Sequence, residues 1–563
     1  MKNAALSGKP YAGNPHVRFD EGEVASAKPR RGSLLYKVGI GVRIVSGIVL
    51  AGALVKEVQA EPLKGGVASA RTINVWYPGE TVELRMVDRN VCSNGQYDLM
   101  VTDWKEKRVL TRAYDPKDGG RVVLSEPEVG SFGAFRVEVV ERGTTNAPAM
   151  KTWFARLLSK NVEPVRWIGT CAHMQRRQSY CDGRFIDMLA AAGVGLVRDD
   201  YCWHMCENPR GVYNPWMPFD NWFCALEKRG IGMVVLLSLW CVPDCYADPK
   251  DLSGFPGFCA DVADRFRGRN CVFEIYNEPQ NSALRRKVYA EEEKRTGPWT
   301  CWLVPMMEAA RKAAKAIHET DPKAKVYMFG EDVGDLLTRM IESGAATADE
   351  GISFHPYAKV PEQQKYWFVD GGAEIRALAL KHGGATRFCG TEAGMPTILS
   401  KDFHHNEIAG NNFRSSYARQ AAVITRFYLL TRLTGMDFLC QYNWMDEGDD
   451  PKYTEHNFGQ IFKDATPKPS FAATATLARI LGKADVIGEK SPEPEKWRMG
   501  EFVREGQTIY ACWSVEGEVK IDCPSALDGA KFLDLMGNEI PAPKAEDGKL
   551  RLDDSPVYAV CTH

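Results

Sequence analysis

Short apolar runs of strand length alternate with amphipathic helical stretches over residues 165–483, and this alternation restricts the fold more than any other feature. Eight such units can be counted. Because parallel strands need a crossover between them, the pattern predicts an α/β fold with a parallel sheet that closes into a (β/α)8 TIM barrel. The predicted strand segments are Trp167 to His173, Gly195 to Asp200, Met233 to Trp240, Val272 to Pro279, Lys325 to Glu331, Ile352 to Tyr357, Arg387 to Gly394 and Phe438 to Trp444.

The segments on either side of the barrel have the two-residue period of β-strands. Residues 67–160 alternate apolar and polar positions between turn sequences such as Pro78-Gly79, which predicts an N-terminal β-sandwich. The alternation returns over residues 484–563, for example in Ile509 to Trp513, and predicts a small C-terminal β-domain. We expect the sandwich to support the barrel, and glycan binding is the alternative role.

The first 60 residues have the composition of a targeting segment. Residues 1–43 are polar and net basic, and the apolar stretch Ile44 to Val55 that follows has the length of a signal-peptide core. It ends near Val58-Gln59-Ala60, a plausible cleavage site. Residues 1–60 therefore predict export to the periplasm or the exterior. The alternative is an uncleaved signal anchor formed by residues 38–55, and no other stretch is predicted to cross a membrane.

Charge and cysteine content bear on partners and compartment. The 563-residue chain has a formal charge of −2, so it lacks the overall positive field that attracts nucleic acid.

Of its 16 cysteines, several lie inside predicted strands and are expected to be buried thiols: Cys171, Cys271, Cys389 and Cys440. Cys202 with Cys206 and Cys241 with Cys245 are the candidates for disulfides. Their spacing is not that of a zinc site, and no metal is predicted.

Two of the barrel strands end in glutamate. One apolar run ends in Asn277-Glu278-Pro279, and a later one in Thr391-Glu392-Ala393-Gly394. The carboxyl ends of barrel strands meet at one rim, where the chemistry of such folds takes place. A pair of carboxyl groups there is the arrangement that cleaves a glycosidic bond, and an ion-pair network on the rim is the alternative.

These motifs resemble the clan A retaining glycoside hydrolases. The resemblance rests on Asn277-Glu278-Pro279 followed by Thr391-Glu392 in a chain with this β/α order, and it covers roughly residues 165–483. It implies that Glu278 is the acid/base, that Glu392 is the nucleophile, and that a carbohydrate is cleaved without a cofactor. Much of the clan has a histidine after strand 3, whereas this chain has Ser238-Leu239-Trp240, so the sugar is left open.

Further residues at the predicted strand ends are candidates for the site. Arg198 is expected to provide the positive charge beside Glu392, and the resemblance implies that Asn277 binds a sugar hydroxyl and that Tyr357 orients the nucleophile. The alternative for Asn277 and Tyr357 is that each caps its strand, and His355, beside Tyr357 at the end of strand 6, is a further candidate for substrate binding. Trp444 is expected to stack on a sugar ring, with burial under the rim as the alternative. The early loops supply further candidates for substrate contacts, namely His173, Trp203 and Trp240.

Three functions are compatible with these features. The first is a retaining glycoside hydrolase that acts on an oligo- or polysaccharide through a glycosyl-enzyme intermediate. The second is an exported glycan-binding protein with a catalytically silent barrel. The third is a transglycosidase, which uses the same two glutamates but passes the sugar to another hydroxyl group instead of water.

Overall fold

The computed structural model describes most of the chain after residue 66. The described residues are 67–69, 72–86, 95–116, 120–130, 132–144, 147–174, 183–363, 368, 372–399, 415–544 and 547–562. The predicted export segment, residues 1–60, lies outside them. Within this part of the chain, the structure has no helix that is both long and apolar enough to span a membrane.

Eight parallel strands close into a barrel, as the strand and helix pattern predicts. Each strand pairs with its neighbours in sequence, and the last pairs with the first. The strands are almost entirely buried, as expected where helices cover one face and the barrel interior the other. They are β9 (Val165–Cys171), β10 (Val194–Cys202), β11 (Gly232–Ser238), β12 (Cys271–Ile275), β13 (Val326–Asp332), β14 (Gly351–His355), β15 (Arg387–Ala393) and β16 (Leu439–Gln441).

Helices connect the strands and cover the outside of the barrel. Helix α10 begins after Ser416, whose side chain accepts a hydrogen bond from the backbone N–H of Arg419, and α11 has proline in its first turn. The barrel helices are α2 (Gly183–Ala192), α3 (Trp203–Cys206), α4 (Met217–Glu227), α5 (Phe255–Arg265), α6 (Ala290–Thr296), α7 (Leu303–Thr320), α8 (Asp335–Glu342), α9 (Ala373–His382), α10 (Tyr417–Leu433) and α11 (Pro469–Leu481).

Two sheets precede the barrel. One has three antiparallel strands, and the other has five strands in the order β2-β8-β7-β4-β5. Apolar side chains from both sheets share one buried cluster. The elements are β1 (Val67–Ser69), β2 (Val75–Trp76), β3 (Val82–Met86), β4 (Tyr97–Thr102), β5 (Arg108–Tyr114), β6 (Arg121–Leu124), α1 (Glu126–Val129), β7 (Gly133–Glu141) and β8 (Met150–Arg156).

The chain after the barrel forms a six-stranded sheet and a two-stranded one. Backbone groups of Phe132 exchange hydrogen bonds with the side chain of Asn538, so the regions before and after the barrel also contact each other. The strands are β17 (Asp485–Glu489), β18 (Trp497–Arg504), β19 (Gln507–Ser514), β20 (Val519–Ile521), β21 (Lys531–Leu533), β22 (Glu539–Ile540), β23 (Leu550–Leu552) and β24 (Val557–Thr562).

The cysteines differ from one expectation and agree with another. Cys202, Cys206, Cys241 and Cys245 all have free thiols, so the two predicted disulfides are not present. Cys171, Cys389 and Cys440 are buried in the barrel, as expected for small apolar side chains inside strands, and Cys271 is half-buried.

Candidate active site

Glu278 and Glu392 come from opposite parts of the barrel sequence and meet at its rim. Glu278 follows β12 and precedes a one-turn 3-10 helix, Pro279–Asn281, while Glu392 lies near the end of β15. Each of the two side chains is 1% exposed. A carboxyl oxygen of one lies within 4.8 Å of a carboxyl oxygen of the other.

Arg198 on β10 contacts three residues of the site through three different nitrogens. Its Nη1 donates to Oε1 of Glu392 at 2.7 Å, and its Nη2 donates to Oδ1 of Asn277 at 2.5 Å. Its Nε donates to Oε2 of Glu274 at 2.5 Å. Arg198 therefore lies beside Glu392, where the sequence predicted a positive charge. The hydrogen bond to Asn277 also fixes the orientation of the side-chain amide, with Oδ1 toward Arg198.

The end of β14 provides two further contacts. The hydroxyl of Tyr357 donates to Oε2 of Glu392 at 3.0 Å, the contact that the resemblance implies. Nδ1 of His355 lies 2.8 Å from Oε1 of Glu278 and 3.9 Å from Oε2 of Glu392. His355 is thus located between the two carboxyl groups and is fully buried.

Burial and charge move the pKa values of the two glutamates in opposite directions. Burial raises the pKa of Glu278 from 4.5 to about 7; the charges of Asp332 and Glu392 add to this, and His355 opposes it. Burial also disfavours ionisation of Glu392, but the positive charges of His355 and Arg198 outweigh it and hold the pKa of Glu392 below 4.5. The site therefore contains one carboxyl group suited to carry a proton and one suited to stay ionised.

The pKa of His355 itself is raised, despite its burial. Burial alone would lower the pKa of the imidazole, but the negative charge of Glu392 and the hydrogen bond to Glu278 raise it to about 8. At neutral pH the ring is therefore mostly the imidazolium, which donates from Nδ1 to Glu278.

Two of the predicted substrate-contacting residues lie at the rim. His173 follows β9, is 9% exposed, and has its Nδ1 2.7 Å from Oε1 of Glu447. It lines a cavity of about 10 Å³, which has room for about one water molecule. Trp240 follows β11, is half-buried, and has the guanidinium of Arg286 5.3 Å from its ring centroid.

The predictions for Trp203 and Trp444 are wrong, because both indole rings are fully buried. Trp203 packs edge-on against Tyr246 and donates from its indole nitrogen to Glu207. Trp444 packs between Phe185 and Phe471, so neither ring has a free face for a sugar. For Trp444 the alternative of burial under the rim is the observed one.

The sequence analysis missed two buried acids of the site, Glu274 and Glu331. Both side chains are 0% exposed. Glu274 is the partner of Arg198, and Glu331, on β13, accepts a hydrogen bond from the side chain of Gln280. A signal was present, because an acid inside a buried apolar strand needs a partner or a proton. That rule does not identify the partner, since it comes from a different strand.

Glu278, His355 and Glu392 also form a group of donors that could hold a cation. Arg198 already contacts Glu392, and its fixed positive charge repels a second cation at this carboxylate. The contacts of the group therefore favour proton chemistry over metal binding.

Comparison with known proteins gives a fold. No protein-family model and no curated protein sequence matches this chain. The structure is similar to a family 39 glycoside hydrolase from the gut symbiont Bacteroides cellulosilyticus WH2, with a TM-score of 0.65 and 18% identity over 88% of this chain and 100% of that one. At this identity the likeness shows a shared fold, the one that the motif resemblance predicts.

Two further structures match over a smaller share of the chain. The glucosidase from Croceicoccus marinus has a TM-score of 0.47 and 12% identity over 71% of this chain and 96% of that one. The GH39 enzyme from Xanthomonas axonopodis pv. citri has a TM-score of 0.44 and 12% identity over 71% and 95%.

Proposed function

We propose that this protein is a retaining glycoside hydrolase that cleaves an O-glycosidic bond of an oligo- or polysaccharide by double displacement. One observation carries the proposal: two buried carboxyl groups lie within 4.8 Å of each other and have pKa values shifted in opposite directions. Retaining enzymes separate these groups by about 5–5.5 Å, whereas inverting enzymes need about 6.5–9.5 Å to fit a water molecule. The separation here supports retention.

In the first step, the carboxylate of Glu392 attacks the anomeric carbon while Glu278 gives its proton to the glycosidic oxygen. The bond between the anomeric carbon and that oxygen breaks, a bond to Glu392 forms, and the leaving sugar departs as an alcohol. Arg198 and Tyr357 each bind one oxygen of Glu392. They hold the nucleophile ionised and fix its direction of attack.

In the second step, the roles of Glu278 reverse. Its carboxylate, formed in the first step, takes a proton from water as the water oxygen attacks the anomeric carbon. The bond to Glu392 then breaks, and Glu278 is protonated again. The net configuration at the anomeric carbon is retained because it is inverted twice.

The pKa of Glu278 decides whether the first step works near neutral pH. With a pKa of about 7, roughly half of the Glu278 side chains carry a proton at pH 7. With the ordinary pKa of 4.5, only about 0.3% would do so. Burial therefore increases the population of the acid form by about two orders of magnitude.

The test compares two single variants on aryl glycosides in the presence of azide. Glu392→Ala should abolish turnover, and azide should restore it with a product of inverted configuration. Glu278→Ala serves as the matched control, because azide then replaces the second-step water and gives a product of retained configuration. Near-native turnover by Glu392→Ala on every cleaved substrate would refute the assignment of the nucleophile.

The other functions lead to different products. A silent glycan-binding barrel would bind an oligosaccharide and release no reducing sugar over long incubation. A transglycosidase would transfer the sugar at high acceptor concentration, which product analysis separates from hydrolysis. Export is also part of the proposal, supported by the apolar stretch Ile44 to Val55, and cell fractionation with determination of the mature N-terminus tests it.

A further inference from the structure

Glu278 occupies a backbone conformation that has to be held by its neighbours. Its φ of 39° and ψ of 62° are left-handed, a region that residues other than glycine rarely adopt. Such a conformation is strained and persists only where the surrounding structure fixes it. Contacts with neighbouring residues must therefore hold the backbone of Glu278 in this conformation.

The end of β13 holds the turn on both sides of Glu278. The backbone carbonyl of Gly330 accepts from the backbone N–H of Glu278 at 2.8 Å. One residue further along β13, Oε1 of Glu331 accepts from Nε2 of Gln280 at 2.7 Å. Gln280 lies in the turn Pro279–Asn281, directly after the acid/base. The two contacts therefore tie both ends of the strained segment to one strand.

The same turn positions the carboxyl group itself. The side-chain nitrogen of Asn281 donates to Oε2 of Glu278 at 2.8 Å, and its backbone N–H donates to the Glu278 carbonyl at 2.7 Å. Movement of the turn would therefore move Oε2 of Glu278 away from the position where it meets the glycosidic oxygen. Glu331 acts on that position through Gln280.

The environment of Glu331 suits a neutral carboxyl group. The side chain is 0% exposed, and none of the described basic residues forms an ion pair with it. Oε1 also accepts from the backbone N–H of Asp332 at 3.0 Å, while Oε2 is buried without a partner among the described residues. Burial and the nearby charges of Asp332 and Glu278 raise its pKa well above 4.5. Ionisation of Glu331 at this buried position, without a positive partner among the described residues, is unfavourable, so its carboxyl group stays protonated.

We propose that Glu331 is a positioning residue for the acid/base, a protonated carboxyl group whose Oε1 anchors Gln280 and thereby fixes the turn that presents Glu278. The inference rests on the proposed function, because it assigns Glu331 a role in the step that Glu278 performs. No contact between Glu331 and the substrate is part of it. Its effect is limited to bond cleavage that needs a proton.

Because only proton-dependent cleavage should be affected, the role of Glu331 is tested with glycosides whose leaving groups differ in acidity. A dinitrophenyl leaving group departs without a proton, whereas a phenyl or alkyl leaving group needs one. Glu331→Leu should lower kcat/KM for the phenyl glycoside by about 10- to 100-fold, the cost of a misplaced catalytic group. It should leave kcat/KM for the dinitrophenyl glycoside of the same sugar close to wild type. Glu331→Gln keeps an accepting oxygen and a neutral side chain, so it should retain activity on both substrates.

A second variant keeps the test informative if Glu331→Leu does not fold. Gln280→Ala removes the donor from the other end of the same hydrogen bond, at a half-buried position, and should reproduce the selective loss. Glu350→Leu is the matched control for burying an apolar residue in place of an acid. Glu350 is 4% exposed and accepts from Thr347, away from the turn, so this variant should lose stability without a change in leaving-group dependence.

Glu278→Gln separates failure of this inference from failure of the proposed function. If Glu278→Gln discriminates strongly between the two leaving groups and both Glu331→Leu and Gln280→Ala do not, Glu331 does not position the acid/base. If Glu278→Gln shows no discrimination, the acid/base assignment itself is wrong. A large loss in Glu331→Gln on both substrates would contradict a role limited to positioning the acid/base and would also overturn the inference.

Discussion

Nδ1 of His355 lies 2.8 Å from Oε1 of Glu278, so the acid/base is in direct contact with a second buried group that exchanges a proton near neutral pH. The contact stabilises the carboxylate form of Glu278, whereas burial stabilises the acid form. Burial prevails, and the pKa of Glu278 is about 7. The balance between these two effects sets the pH range of the proposed reaction.

The first prediction is a bell-shaped pH profile. Glu278 must be protonated, so kcat/KM should fall as the pH rises through about 7. Glu392 must be ionised and has a pKa below 4.5, so the acid limb should lie below pH 4.5. The measurement is kcat/KM against pH with a glycoside that has a poor leaving group. Activity that increases from pH 7 to pH 9 would contradict it, and Glu278→Gln should remove the basic limb.

The second prediction concerns His355→Gln. The imidazolium lowers the pKa of both glutamates, so its removal should raise both values. Glu278 would then keep its proton to higher pH, and Glu392 would become ionised only at higher pH. Both limbs of the profile should therefore move to higher pH. His318→Gln is the control, since His318 pairs with Glu350 at 3.1 Å outside the site. Limbs that stay in place in His355→Gln would rule out this role.

The third prediction concerns the hydroxyl of Tyr357. Tyr357→Phe removes a donor from Oε2 of Glu392, a hydrogen bond to a charged group worth about 1.5–3 kcal/mol. We expect kcat/KM to fall by about 10-fold or more and the acid limb to move to higher pH. Tyr428→Phe removes a fully buried hydroxyl outside the site, which donates to the carbonyl of Gly169 at 2.6 Å in the barrel wall. That variant should lower stability and leave the acid limb in place.

The fourth prediction concerns stability at the junction between the barrel and the C-terminal strands. Arg426 on α10 forms a buried ion pair with Glu362, and the indole nitrogen of Trp513 donates to Oε1 of Glu362 at 2.6 Å. Glu362→Leu removes the acceptor of the Trp513 indole and leaves the buried charge of Arg426 with backbone carbonyl partners only, such as that of Val515, so it should lower the free energy of unfolding by about 3–5 kcal/mol. Denaturant unfolding measures it. Glu319→Ala breaks an exposed pair with Lys315 and should have little effect. Equal effects of the two changes would contradict the argument.

The sequence predicted the barrel and the positions of the main site residues because these depend on local patterns. A buried strand is an apolar run, and a functional residue at its end follows that run directly. Glu278, Tyr357 and Glu392 lie at or near the ends of predicted strands, and Arg198 lies two residues before the end of another, which was sufficient to expect all four at one rim.

The remaining features depend on contacts between strands, which local patterns do not encode. Glu274 and Arg198 pair across the barrel, and neither strand by itself shows that the other holds the opposite charge. The orientation of an aromatic ring at a strand end is equally undetermined. Trp444 is buried against Phe185 on α2 and Phe471 on α11, while Trp240 is only half-buried, although both follow barrel strands.

Helices α10 and α11 are buried along nearly their whole length, whereas a barrel helix ordinarily keeps one side in water. The hydroxyl of Thr476 on α11, for example, donates to the carbonyl of Met536 in the C-terminal region at 3.1 Å. A fragment limited to residues 165–483 would expose surfaces of α10 and α11 that are buried in the full chain, and we expect it to aggregate. The flanking sheets are thus part of the folding unit of the barrel, and engineered versions of this chain have to retain them.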